Sequence, residues 1–151
     1  MAHYLADTNV LLRLSDTPAR QNPIAAQAVA RLFRENHDVF ITAQNIIEFW
    51  AVATRPVEVN GLGWNPERAR CEVAALLEKF PLLPDHPDIF PNWIRLVQDI
   101  PVFGKRVHDA RLVAVMKTNA VEHLLIFNSG DFSLFPGLSI VEPRTLVEST
   151  A

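Results

Sequence analysis

A chain of 151 residues with 49% hydrophobic and 21% charged side chains has the make-up of a soluble globular protein. It is long enough to bury a sizeable core and is most simply one domain over 1–151. The net charge of −3 gives no global basic signal for nucleic acid, which argues against a large electrostatic footprint and leaves a local basic patch open. The lone cysteine, Cys71, excludes an internal disulfide and fits a reducing compartment. No leader-like segment and no run of membrane-span length is read, so a cytoplasmic location with no membrane partner is expected.

"HYLAD" reads as a short buried strand, after which the chain turns at Thr8-Asn9 into a short apolar helix. "NPIAAQAVARLFREN" follows as a helix, with Pro23 in its first turn and Ile24, Ala28 and Leu32 on one face. "DVFIT" is a second strand, and Thr42 is placed to cap the helix "AQNIIEFWAVATR", which Pro56 ends. "VEVNGLGWNPERA" is a loop, and Asn65-Pro66 open a helix with Ala69, Val73, Leu76, Leu77 and Phe80 at core spacing. "PLLPDHP" is extended, "NWIRLVQD" is an amphipathic helix after Pro91, and "KRVHDARLVAVMKTN" is a further helix with Val107, Ala110, Val113, Ala114 and Met116 inward. The strands "HLLIFN" and "LSIVE", separated by "SGDFSLFPG", close the reading. Short apolar strands alternating with helices predict an α/β sandwich around a mainly parallel sheet.

Four carboxylates stand out. Asp7 ends the first strand, Asp131 follows "LLIFN", and Glu48 and Asp109 lie on predicted helices. In an open α/β sheet, ligands bind beyond the carboxyl ends of the strands. Glu48 is the only charge between Asp38 and Arg55, in a helix that reads as apolar nearly all round and therefore buried. Buried carboxylates need a partner, and a hard divalent ion satisfies several at once through oxygen ligands. Each acid also has a plainer reading: Asp7 as a helix cap, Glu48 paired with Arg55, Asp109 paired with Lys105, Asp131 as a turn residue. Lys105, Arg106 and Arg111 form a small basic cluster around Asp109, suited to phosphate and equally to a solvated helix face. His108 beside Asp109 is read as incidental, and the other histidines show no metal-ligand spacing. Trp50 and Trp93 are assigned to the core, while the loop residue Trp64 fits either an exposed or a tucked-in position.

The chain resembles the PIN-domain ribonucleases, and especially the toxins of VapBC-type toxin–antitoxin pairs. The resemblance is carried in order by "LADTNVLLRL", "ITAQNIIEFWAVATRP", "NGLGWNPERA", "VHDARLVAVMKTNAVEHLLIFNSGDF" and "FPGLSIVEP". It implies a PIN-like three-layer sandwich and an acidic site for one or two Mg²⁺ or Mn²⁺ ions. Asp7, Glu48, Asp109 and Asp131 match the family's four acids, and Thr8 and Asn9 match the polar pair that positions the first. Many relatives have a threonine and a further acid shortly before the final Asp-Phe, where this chain has Ile126, Asn128 and Ser129. With Asn128 and Ser129 as uncharged supporting groups, a second ion is expected to bind weakly or only with substrate. The implied activity is hydrolysis of RNA phosphodiesters, with Lys105, Arg106 and Arg111 as phosphate contacts. An antitoxin and a second copy of the chain are the implied partners.

A non-catalytic PIN-like module that binds RNA or protein is the main alternative, ranked lower because all four acids are present. A phosphatase of the haloacid-dehalogenase type needs a second aspartate two residues after the first, where this chain has Asn9. A nucleotide-binding domain needs a glycine-rich turn after the first strand, and "DTNV" has none.

Overall fold

The computed structural model describes residues 1–148. In chain order the elements are β1 (His3–Ala6), α1 (Thr8–Ser15), α2 (Asn22–Arg34), β2 (Asp38–Thr42), α3 (Ala43–Thr54), α4 (Pro66–Lys79), β3 (Leu82–Leu83), α5 (Ile89–Asp99), α6 (Arg106–Thr118), β4 (His123–Leu125), β5 (Ser139–Val141) and α7 (Pro143–Glu148). Two short 3₁₀ turns, Val57–Val59 and Ser129–Phe132, interrupt the loops.

The strands form one five-stranded sheet in the order β3-β2-β1-β4-β5, every pairing parallel. Leu5 sets the central register, lying opposite Phe40 on one side and Leu124 on the other. Period-two alternation then divides the core into two layers. Tyr4, Ala6, Val39, Ile41 and Leu125 face one layer with the buried residues of α1, α2, α3 and α4. Leu5, Leu124 and Ile126 face the other, with α5 and α6. This is the expected three-layer sandwich. Parallel strands covered on both faces read as continuous apolar runs, which is why "HYLA" and "HLLIF" show no polar alternation.

Several local expectations are corrected. The helix carrying Glu48 is not buried all round: Asn45, Phe49 and Ala53 face inward, while Ile47 is 69% exposed. Leu77, assigned to the core, points to solvent, and Val107 and Ile24 are only partly buried. α5 begins at Ile89, so Pro91 lies inside its first turn, where its missing N–H has no helical partner to lose. Strand β4 ends at Leu125, although the Ile126 N–H still reaches Val141 O at 3.0 Å. "PLLPDHP" contributes only the two-residue edge strand β3, since prolines on both sides remove ladder donors. The terminal helix α7 had no counterpart in the sequence reading.

One loop fixes the end of the helix that carries Glu48. After Pro56 the chain folds back over the end of α3, with Leu62 N–H on Val52 O, Gly63 N–H on Arg55 O and Trp64 N–H on Ala53 O. A Cβ on Gly61 would lie 1.9 Å from Arg55 O, so only glycine permits this approach. Trp64 is thereby tucked against Phe49 with the Arg68 guanidinium 4.0 Å above its ring, settling its position as buried.

Candidate active site

Strand order reverses direction at β1, with β2 and β3 on one side and β4 and β5 on the other. Such a switch point opens a crevice at the carboxyl ends of the strands. Asp7 stands at that point. Its N–H donates to Leu125 O at 2.9 Å, which extends the β1–β4 pairing through the residue that ends the strand. Its backbone is extended (φ −70°, ψ 160°), and it is the N-cap of α1. The cap bond itself, Asn9 N–H to Asp7 Oδ2, is long at 3.4 Å. The plainer reading of Asp7 as a cap is therefore correct, but the weak bond leaves the carboxylate only loosely engaged.

Asp7 is partly buried, and its pKa is pushed up to about 7. Burial is the main cause, with repulsion from Glu48 and then Asp109 adding to it. The backbone N–H groups of Asn9 and Thr8 pull the other way. Two of the other acids singled out in the sequence therefore act on Asp7 electrostatically.

Glu48 is held by two neutral donors. Thr8 Oγ1 donates to Glu48 Oε2 at 2.9 Å, and Gln44 Nε2 donates to Glu48 Oε1 at 3.1 Å. Thr8, expected to position Asp7, thus uses its hydroxyl on the second acid. The same hydroxyl accepts from Asn45 Nδ2 at 3.1 Å. Asn45 is fully buried and locked by a capping box, with Thr42 Oγ1 accepting its N–H at 3.0 Å and its Oδ1 accepting the Thr42 N–H at 3.0 Å. Asn9 spans the crevice, its Oδ1 accepting the Phe127 N–H at 3.3 Å.

Asp109 lies in the first turn of α6, where the helix dipole favours a negative charge. Gln44 ties this turn to α3: its Nε2 also donates to His108 O at 2.8 Å, and its Oε1 accepts from Arg111 Nη1 at 3.2 Å. Arg111 in turn reaches Asp85 Oδ1 at 3.5 Å. Gln44, Ile47, Glu48, Asp85, His108 and Arg111 line an open cavity of about 360 Å³ beside the acids. Lys105 is exposed and Arg106 partly buried at the same helix end.

Asp131 lies in the 3₁₀ turn Ser129–Phe132 that follows β4, and its side chain is outside the described set. Asn128 precedes that turn and makes no capping bond. Ser129 is directed elsewhere, its hydroxyl donating to Glu142 Oε1 at 2.7 Å.

Among the described residues, no three His, Cys, Asp or Glu side chains are grouped tightly enough to hold a metal ion as they stand. The donor chemistry nevertheless suits a hard divalent cation. Asp7, Glu48 and Asp109 offer only carboxylate oxygens, and Asp7, whose pKa is raised by burial and then by the charges of Glu48 and Asp109, is a group whose ionised form a dication would favour.

Sequence reasoning missed Gln44, Asn45 and Asp85. Gln44 stands four residues before Glu48, the helical neighbour position, and Asn45 stands three after the cap Thr42; both signals were present. Asp85 carried none.

The model of the PIN domain matches residues 4–136, and the chain belongs to the PIN-domain family. Its fold is shared with solved VapC-containing structures. It resembles VapBC2 from Rickettsia felis bound to a DNA fragment from their promoter (12% identity, TM-score 0.68, covering 93% of this chain and 98% of that one). It resembles VapBC-1 from nontypeable Haemophilus influenzae similarly (16%, TM-score 0.66, 93% and 98%). The sarcin-ricin loop cleaving toxin VapC20 of Mycobacterium tuberculosis is also similar (17%, TM-score 0.56, 80% and 86%). Comparison with curated protein sequences gives no match.

Proposed function

We propose that this chain is a divalent-metal-dependent endoribonuclease and the toxin of a toxin–antitoxin pair, with Asp7, Glu48, Asp109 and Asp131 as its acidic set. The observation that carries the reading is Asp7. It is a carboxylate at the sheet's switch point with its pKa near 7, and Glu48 and Asp109 are the charges that push it there alongside burial.

In this reading Asp7, Glu48, Asp109 and Asp131 supply the oxygen ligands, with Asn128 as an uncharged neighbour. When bound, one or two Mg²⁺ or Mn²⁺ ions neutralise the scissile phosphate and activate water. Thr8 and Gln44 orient the two oxygens of Glu48, and Asn9 keeps the ends of β1 and β4 together. Lys105, Arg106 and Arg111 attract the RNA backbone into an otherwise acidic neighbourhood. The similar R. felis and H. influenzae structures are VapBC complexes, which supports an antitoxin partner here. A homodimer and a cytoplasmic setting complete the proposal; no described helix is long and apolar enough to cross a membrane.

A second reading, a PIN-like module that binds RNA or protein without cutting, draws on the absence of three tightly grouped ligands among the described residues. One experiment separates the two. Purified protein is incubated with a mixed RNA pool with Mn²⁺, with Mg²⁺ and with EDTA, beside folded Asp7→Asn and Asp109→Asn. Cleavage that needs metal and is lost in both variants supports the enzyme. Metal binding without cleavage supports the module, and cleavage that survives EDTA and both substitutions overturns the carboxylate site.

A further inference from the structure

A second cavity of about 500 Å³ adjoins the one beside Glu48, and the two share Asp85 and Arg111. Pro87, Ile89, Phe90 and Trp93 form its apolar wall. Phe90 is 64% exposed, although it is a phenylalanine in the first turn of a helix that buries its neighbour Ile89. Its ring is stacked on Trp93, with centroids 5.9 Å apart and planes 25° from parallel. Trp93 is fixed from behind, its indole N–H donating to Val107 O at 2.8 Å. The pair is therefore an aromatic platform in which an anchored, partly buried Trp93 backs an exposed Phe90.

Its position follows from topology. β3 is parallel to β2, so the segment between β3 and α5 leaves the sheet at its carboxyl edge, the edge that carries Asp7. A strand of nucleic acid crossing the acidic site toward this side meets Arg111 next and the aromatic pair after it.

We propose that the Phe90–Trp93 platform is a stacking subsite for one unpaired base of the RNA substrate, with Arg111 beneath the adjoining phosphate and Asp85 accepting from a base N–H. Unpaired bases are recognised in RNA by stacking on aromatic side chains combined with hydrogen bonds to their edges. The apolar wall would take a base face, and the cation and carboxylate at the rim, next to the cavity beside Glu48, supply the phosphate and base-edge contacts that a nucleotide needs together. The proposal rests on the ribonuclease reading for its substrate and deepens it: cutting would favour an unpaired base at a fixed distance from the scissile bond.

The test separates this subsite from the activity. The Trp93 indole N–H signal is followed by ¹⁵N NMR while each of the four nucleoside monophosphates is titrated into metal-free wild type and Phe90→Leu. Cleavage of a single-stranded RNA, and of versions lacking one base at successive positions, is measured in parallel. The expected result is a saturable Trp93 shift with at least one nucleotide, and binding about 5- to 150-fold weaker in Phe90→Leu, as for loss of one base–aromatic stack. One base-less position should impair wild type and leave Phe90→Leu unaffected. A Trp93 signal that no nucleotide moves, or that moves equally in both proteins, overturns the subsite even where RNA is cut. A Trp93 shift without cleavage keeps the subsite and removes the ribonuclease reading. If Phe90→Leu instead changes only the protein's mass in solution, or only its capture of an antitoxin, the platform is a protein interface and the proposal falls.

Discussion

Thr8 Oγ1 lies 2.9 Å from Glu48 Oε2, so the residue that follows one acid of the site holds another acid forty positions along the chain. The hydroxyl is a relay, because it also accepts from the buried amide of Asn45, which the capping box of α3 has already locked. Orientation thus passes from the start of α3 to the Glu48 carboxylate through a residue of α1.

Thr8→Val keeps the side-chain shape and removes that relay. The buried Asn45 amide then lacks its acceptor, at a cost of about 1–3 kcal/mol. For a chain of this size the thermal midpoint should fall by roughly 2–12 °C, with Thr8→Ser close to wild type. A valine variant that melts with wild type would show that the network does not constrain Thr8.

The raised pKa of Asp7 predicts a pH-dependent difference between the wild type and Asp7→Asn in EDTA. At low pH the carboxyl is protonated in both folded and unfolded wild type, and no penalty exists. As pH rises from about 4 to about 7 the unfolded chain loses its proton first, so ionisation weighs against the fold until the folded group titrates near 7. Asparagine caps helices as well as aspartate, so the local helix start is preserved. The variant should therefore gain on wild type steadily across that window and hold its advantage above it. Thermal melts at a series of pH values measure this, and a difference independent of pH contradicts the assignment.

Arg111 offers a test of how RNA is attracted. Two bonds orient its guanidinium along the cavity beside Glu48, one to Gln44 and one to Asp85. If it neutralises one phosphate, Arg111→Gln should lower the slope of log affinity against log salt by about 0.7 for a single strand. Binding in EDTA across a series of KCl concentrations reads that slope directly. An unchanged slope with weaker binding would instead mean that Arg111 acts only by bracing Gln44.

The sheet was legible because parallel strands covered on both faces leave unbroken apolar runs, as "HYLA" and "DVFIT" do. Asp7 was legible for the same reason, as a charge at the end of such a run. Glu48 was singled out for an argument only half right: its helix has one buried face, and the exposed Ile47 beside it made the segment look more buried than it is. Gln44 could have been found through its i, i+4 relation to Glu48, but its tie to His108 across 64 residues, like the pairing of Asp85 with Arg111 across 26, is encoded in no local pattern. The platform escaped for a similar reason. Trp93 was assigned to the core on residue type alone, and nothing in "DIFPNW" says that Phe90 would stay in solvent.

Divalent cations should stabilise the folded chain through the acids, and this can be read without any RNA. An ion that binds only the folded state contributes about 2.7 kcal/mol at a hundred times its dissociation constant, which is roughly 5–11 °C here. Mn²⁺ should therefore raise the melting temperature of wild type in a saturable way, and Asp7→Asn and Glu48→Gln should lose most of that rise. Gln44→Leu is the informative companion. It keeps every carboxylate but frees Glu48 Oε1 and unpins α3 from the His108 carbonyl next to Asp109. It should shift the Mn²⁺ midpoint to higher concentration while leaving the full rise attainable, since the ligands are intact and only their arrangement is loosened. Equal rises in wild type and in Asp7→Asn would place the bound ion elsewhere on the protein and count against Asp7 as a ligand.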